Sequence, residues 1–344
     1  MNSFRKNYRL ILMSMLLIFI FLSTAICGSA QTPAIDFFKG KNLDFIVPYS
    51  PGGGFDTYAR LLAPMIQKHI PGVTVVVRNV PGAGSVIGTN TVYLAKPDGL
   101  TIGIINVPGM VFNQVGGSEG VKFDLEKFSW LARVTSESHV LAMNSQGEIK
   151  SVEDLKNTGK TIKIALTGVG SDDYFGAIVL FNALGIPMNP IPGYGGQAEA
   201  SLAVMRGEVD GTQATYSSLR SLLESKELIP ILQLKHPGEK DLIEGISNAV
   251  DILEGKDRDL VAAITNIFTL DRSIVGTPGI PEDRLKVLRD AIYNSLNDPE
   301  FVAICETAKR PISSLEGSVV EELIKDTMVQ AGEMQTILMD VFQK

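Results

Sequence analysis

Three glycine-rich turns, each between an apolar run and a helix-like segment, hold the residues of this sequence best placed to do chemistry. They are Pro48-Tyr49-Ser50-Pro51-Gly52-Gly53-Gly54-Phe55-Asp56, Pro81-Gly82-Ala83-Gly84-Ser85 and Leu166-Thr167-Gly168-Val169-Gly170-Ser171-Asp172. Unpaired main-chain amides at a helix start, with the positive end of the helix dipole, attract an anion. A tight turn that merely needs glycine would have the same composition. No Gly-Lys-Ser/Thr follows the first turn and it lacks the G-x-G-x-x-G spacing, so no nucleotide is expected. Asn106-Val107-Pro108, Gly193-Tyr194-Gly195-Gly196 and Thr215-Tyr216-Ser217 stand at further strand ends, each a candidate contact or a simple connection.

Catalytic chemistry finds little support. His69, His139 and His236 form no H-E-x-x-H group and each suits the end of an element, and no Gly-x-Ser-x-Gly elbow is present. No catalytic residue, cofactor or metal site is expected, since a calcium ion would need about 6–8 oxygens and nothing resembles an EF-hand loop. Two roles are open for Asp172 and Asp173. Asp172 is the expected N-cap of the helix that follows, worth about 1 kcal/mol. Alternatively a carboxylate reaching the site would disfavour a second carboxyl group on a ligand, citrate included, and welcome an ammonium or hydroxyl group. On that second role, Asp173→Ser gains dicarboxylate or tricarboxylate affinity with little loss of stability.

These turns need a scaffold of parallel strands and covering helices. Strands are expected at 43–48, 73–78, 100–105, 140–144, 161–166, 209–213, 229–234 and within the apolar run Asn266–Val275. Helices are expected at 55–69, where Pro64 would introduce a kink, and at 85–95, 172–184, 197–205, 218–225, 282–297, 299–308 and 319–341. Ser151-Val152-Glu153-Asp154 reads as a weak capping box. The result is an α/β chain of two lobes, 31–135 plus 270–344 and 136–269, with crossings near 128–140 and 256–272. In such sheets ligands sit at the carboxyl ends of strands.

Arg5, Lys6 and Arg9 precede the apolar run Leu10–Leu22 and small residues around Cys27 to Ala30, the order of a secretory signal peptide over residues 1–30. Ile26, bulky where lipoprotein signals place a small residue, argues against lipid attachment at Cys27. Cleavage after Ala30 leaves 28 basic residues against 38 acidic ones and moves the formal charge from -7 to -10. No nucleic acid is expected as partner. The remaining length, about 310 residues, suits two domains. Cys305, then without a partner cysteine, is expected to pack in the core.

Phe45-Ile46-Val47-Pro48-Tyr49-Ser50-Pro51-Gly52-Gly53-Gly54-Phe55-Asp56 with Ala59-Arg60-Leu61-Leu62 resembles the first signature of the Bug-type receptors of tripartite tricarboxylate transporters. Val75 to Gly84, Ala95-Lys96-Pro97-Asp98-Gly99-Leu100-Thr101 and Gly276-Thr277-Pro278 through Leu296-Asn297-Asp298-Pro299 are similar to the same family in the same order. The resemblance implies a type 2 periplasmic-binding (Venus flytrap) fold with two crossover strands. It implies an exported, monomeric, non-enzymatic receptor that captures a small carboxylate for membrane permease subunits. A receptor docking to a sensor kinase, and more remotely a secreted enzyme, are the alternatives. Carried over by position, Tyr49, Ser50, Gly53, Gly54 and Asp56 match the first binding loop, and Thr167, Gly168, Gly170 and Ser171 the loop of the second lobe. Asp172, Tyr194 and Thr215 complete the candidate ligand contacts. Pro192-Gly193-Tyr194-Gly195-Gly196 lacks the lysine of the family's third loop, and Arg78-Asn79-Val80-Pro81-Gly82-Ala83-Gly84 departs from the usual Glu-Asn-Arg-Pro-Gly-Ala-Gly.

Overall fold

The computed structural model describes residues 34–236, 243–333 and 335–336. The expected leader, with Cys27 and the cleavage position after Ala30, lies outside the described residues. Ala34–Phe37 belong to a short N-terminal unit and begin a 3-10 turn; all that follows concerns the unit from Phe38 onward.

The chain opens as a β-α-β-α-β unit: β1 (Asn42–Val47), α1 (Gly54–His69), β2 (Thr74–Asn79), α2 (Val86–Tyr93) and β3 (Thr101–Asn106), followed by α3 (Val107–Val115) and β4 (Ser129–Thr135). A second group begins with β5 (His139–Asn144), α4 (Val152–Asn157), β6 (Ile162–Leu166), α5 (Asp172–Ala183) and β7 (Met188–Pro192). It ends with α6 (Gln197–Met205), β8 (Gly211–Thr215), α7 (Tyr216–Glu224) and β9 (Leu228–Leu234). After α8 (Gly255–Phe268) the chain returns to the first group through β10 (Arg272–Gly276), α9 (Glu282–Leu296), α10 (Pro299–Thr307), β11 (Leu315–Glu316) and α11 (Gly317–Glu333).

The strands form two sheets, ordered β11-β4-β10-β3-β1-β2 and β7-β6-β8-β5-β9. Strands β1 to β3 run parallel, as do β6 to β8, so their carboxyl ends share one edge of each sheet. β10 enters antiparallel with Arg272 opposite Asn106, and β5 antiparallel with His139 opposite Thr215. The starts of these two strands therefore lie at the same edges as the glycine turns. Central strands are buried almost throughout, whereas the edge strands β2 and β7 are half-exposed. Pro190 and Pro192 in β7 and Pro230 in β9 fall on the edge strands of the second sheet, where a missing amide is tolerated.

One contiguous buried cluster draws on both sheets, with Ile46, Ile105 and Trp130 from the first and Leu141, Ile164 and Leu232 from the second. Helices α3 and α5 join them, and the rings of Phe112 and Phe175 lie 5.0 Å apart. Cys305 is buried, and burial pushes its thiol up to about 11, in keeping with a packing role.

Several expectations need correcting. The run Asn266–Val275 is not one strand: its first residues close the amphipathic helix α8, which buries Val261, Ile264 and Phe268, and only Arg272 onward is strand. A short apolar run does not by itself separate a buried helical turn from a buried strand. β8 begins at Gly211 and ends at Thr215, two residues later than expected. Helix α3 follows β3 without a loop, because Asn106 caps it by accepting from Gly109 N at 3.1 Å and Pro108 stands in the first turn, where its missing amide costs nothing. Pro64 lies inside α1 without ending it. The Ser151 cap forms as expected, accepting from Asp154 N at 3.1 Å.

The turns of the two sheets meet main chain to main chain. A side chain at Gly168 would place its Cβ 2.7 Å from Gly84 N, and one at Gly84 would come within 2.5 Å of Val169 O. Ser50 N donates to Gly195 O at 2.8 Å. Substituting Gly168→Ala therefore has to separate the turns: the variant is expected to keep its secondary structure, lose about 1–3 kcal/mol in urea denaturation, and show faster amide exchange at both 81–85 and 167–171. Unchanged exchange in the first turn would contradict the contact.

Candidate functional site

The edges described above enclose a cleft between the two sheets. From the first sheet it is lined by Tyr49, Gly53, Gly54, Phe55 and Arg272, and from the second by His139, Thr167, Asp172, Asp173 and Thr215, with Gly196, Gln197, Ala214 and Ser218. Of the residues singled out from sequence, Tyr49, Gly53, Gly54, Thr167, Asp172 and Thr215 stand on its wall. Ser50, Gly168 and Tyr194 line an adjoining groove of about 1340 Å³. Asp56, Gly170 and Ser171 line neither; they hold the turns together.

Asp56 makes that structural role explicit. Its carboxylate accepts from Gly52 N at 2.9 Å, Arg60 Nε at 2.9 Å and Asn79 Nδ2 at 2.9 Å, bracing the first turn from behind. Burial raises its pKa, but these donors outweigh burial and hold it below the usual range. Ser171 Oγ donates to Gly168 O at 2.7 Å, and Gly170 O accepts from Asn113 Nδ2.

Asp172 is not an N-cap. Ser171 precedes the helix and makes no capping bond, while Asp172 is the first helical residue with its side chain turned away from the amides. Its Oδ1 accepts from Asn106 Nδ2 at 2.7 Å and its Oδ2 lies 3.3 Å from His139 Nε2. The same Asn106 amide donates to the Tyr49 hydroxyl at 2.6 Å, so a buried polar chain runs from the first turn to the helix of the other sheet. Burial pushes the Tyr49 hydroxyl well up, and the charges of Asp172 and Asp173 add to this. Asp172 itself is held below the carboxylate range, because His139, Asn106 and Arg272 together outweigh burial.

Asp173 closes its own turn. Oδ2 accepts from Thr167 N at 2.7 Å, and Oδ1 accepts from Thr167 Oγ1 at 2.8 Å and from the Ser171 hydroxyl. Burial, then the charge of Asp172, push its pKa up to about 6. These bonds overturn the expectation that Asp173→Ser costs little stability.

Five wall residues went unrecognised in the sequence, Gln197, Ala214, Ser218, His139 and Arg272, and the last two are the ionisable ones. Arg272 is 2 % exposed. Its Nη1 donates to Glu137 Oε1 at 2.7 Å and Asp271 Oδ2 at 2.9 Å, its Nη2 to Thr215 Oγ1 at 3.0 Å, and the guanidinium lies over the rings of Phe55 and Tyr58 at 4.7 and 5.4 Å. Gly54 must be glycine for this approach, since a Cβ there would sit 2.9 Å from Nη2. Burial pushes the Asp271 carboxyl well up against the pull of Arg272. His139 stacks on Phe268 with centroids 4.1 Å apart.

Three helices point their first turns at the cleft: α1 through Gly53 and Gly54, α6 through Gly196 and Gln197, and α5 through Asp172 and Asp173. At α1 and α6 the leading residues are glycines, which leave main-chain amides open to an anion. Nothing on the wall is arranged as a nucleophile with a base, and no metal-holding cluster occurs among the described residues.

This is the two-lobed fold of the periplasmic binding proteins. The structure of the periplasmic binding protein BugD superposes with a TM-score of 0.72 at 19% identity, covering 87% of this chain and 97% of that one. MatC from Rhodopseudomonas palustris, a structure with bound malate, gives 0.72 at 19% identity over 86% and 99%. Residues 58–238, more than half of the chain, match the tripartite tricarboxylate transporter family receptors, and the chain belongs to that family. It is a solute-binding protein, not an enzyme. A UPF0065 protein of Bordetella pertussis is 25% identical over 291 residues, 81% of this chain and 83% of its own length. Protein BugT of the same organism is 28% identical over 211 residues, 59% and 64% respectively.

A carboxyl whose pKa is raised on folding binds its proton more tightly in the native state. Asp173 therefore adds stability that is fully present below its unfolded value near 4 and is lost as pH rises through about 6. Asp173→Ser is expected to lose about 1–3 kcal/mol from its severed hydrogen bonds, with the gap from the parent protein wider at pH 4.5 than at pH 8 in paired urea denaturations. A gap independent of pH would remove Asp173 from this role.

Proposed function

We propose that the protein is an exported receptor that captures a small organic carboxylate between its lobes and delivers it to the membrane subunits of a tripartite transporter. The observation that carries this reading is the convergence of the glycine-led starts of α1 and α6, from different sheets, on one cleft. Held from both sides, a ligand stabilises the closed arrangement over any open one and shifts the population toward it. Malate bound by MatC and adipate bound by a second Rhodopseudomonas palustris protein of similar fold support a carboxylate as the ligand class. The basic residues and apolar run ahead of Ala30 support export.

A thermal-shift screen of mono-, di- and tricarboxylates and amino acids tests the reading. A ligand at one hundred times its Kd is expected to add about 2.7 kcal/mol of stability and to reduce the radius of gyration in small-angle scattering. Gly53 has φ -80° and open space where a Cβ would stand, so Gly53→Val folds normally and puts its side chain at the open amides. Calorimetry on that variant is expected to show no binding. Full affinity in the variant would take the first turn out of the site.

A further inference from the structure

We infer that the ligand of this cleft is a small zwitterion, a carboxylate that also carries an ammonium group, rather than a dicarboxylate or tricarboxylate; this rests on the receptor reading above. The wall holds one arginine and one imidazole, and each already has an acidic partner. Arg272 is bonded to Glu137 and Asp271, and His139 faces Asp172. No wall lysine or arginine is left to meet a second carboxylate, which would have to rely on neutral donors such as the open amides of α1 and α6.

The third helix start works against an anion. At α5 two of the protein's own carboxylates, Asp172 and Asp173, stand on the wall in the first turn of the helix, where a ligand anion would meet them. Asp173 spends its oxygens on Thr167 and Ser171, whereas Asp172 accepts one hydrogen bond at Oδ1 and faces the imidazole at Oδ2. Each carboxylate oxygen has two lone-pair directions, so Asp172 keeps capacity for a ligand donor. His139 adds an independent observation: it is 1 % exposed, stands on the wall, and its Nδ1 has no hydrogen-bond partner within the protein. The wall thus offers both main-chain donors and an anionic acceptor. A zwitterion meets both, while a second carboxylate placed beside Asp172 is repelled.

The test is isothermal calorimetry on the mature protein with alanine, 4-aminobutyrate, propionate, lactate, succinate, glutarate and citrate. The amino acids are expected to bind at least about tenfold more tightly than the acids of matched length that lack the ammonium group. In Asp172→Asn, checked for an unchanged melting profile, this preference should vanish and the dicarboxylates should gain. Tighter binding of succinate, glutarate or citrate by the unaltered protein overturns the zwitterion and leaves the carboxylate receptor standing. Preference for lactate over alanine overturns it too, in favour of a hydroxyl partner. If none of the seven binds, both readings fall. The comparison on the unaltered protein decides even where the variant does not fold.

Discussion

A guanidinium buried at the meeting point of two chain crossings governs the rest of this structure. Arg272 begins the strand that returns the chain to the first sheet, and Glu137 lies in the short passage by which the chain first left it. Their bond, with Asp271 beside it, ties the two crossings together, and Thr215 brings in the second sheet. A charge this deeply buried is stable only while its partners stay in place, because removing one leaves an uncompensated ion at a cost of about 3–5 kcal/mol. Phe55 and Tyr58 of α1 pack on the same group, so the crossings help to place the first glycine turn, which Asp56 braces from behind.

Much of this organisation was legible before the fold was known. Alternating apolar runs and helical periods located β1 to β3, β5, β6 and most of the helices, and the glycine turns fell at strand ends where parallel sheets put their ligands. The two ionisable wall residues that escaped share a cause. His139 and Arg272 stand at the beginnings of strands that run antiparallel to their neighbours, so attention to carboxyl ends passes over them. Arg272 also lay inside a run whose apolar character masked a helix end, a turn and a strand start. Their pairing with Glu137 and Asp172 depends on long-range register, which spacing along one chain does not encode.

Asp172 and Asp173 show how adjacent identical residues take unlike environments. One faces a cavity and an imidazole, and donors hold its charge in place; the other is folded into its own turn, and burial raises its pKa. Two carboxylates at a helix start would ordinarily be read as dipole complements. Here the helix supplies the position, while Asn106 and Thr167, from opposite sheets, decide what each carboxylate does.

The contact between Gly84 and Gly168 has an evolutionary consequence. It is made from main chain alone, so what it demands of the sequence is smallness at both positions and, at Gly84 with φ +57°, a left-handed backbone. It asks nothing of the side chains on the cleft wall, whose own ties between the sheets run through Arg272 and Asn106. A contact of this kind is inherited as small residues at fixed positions in two turns, not as a particular surface chemistry.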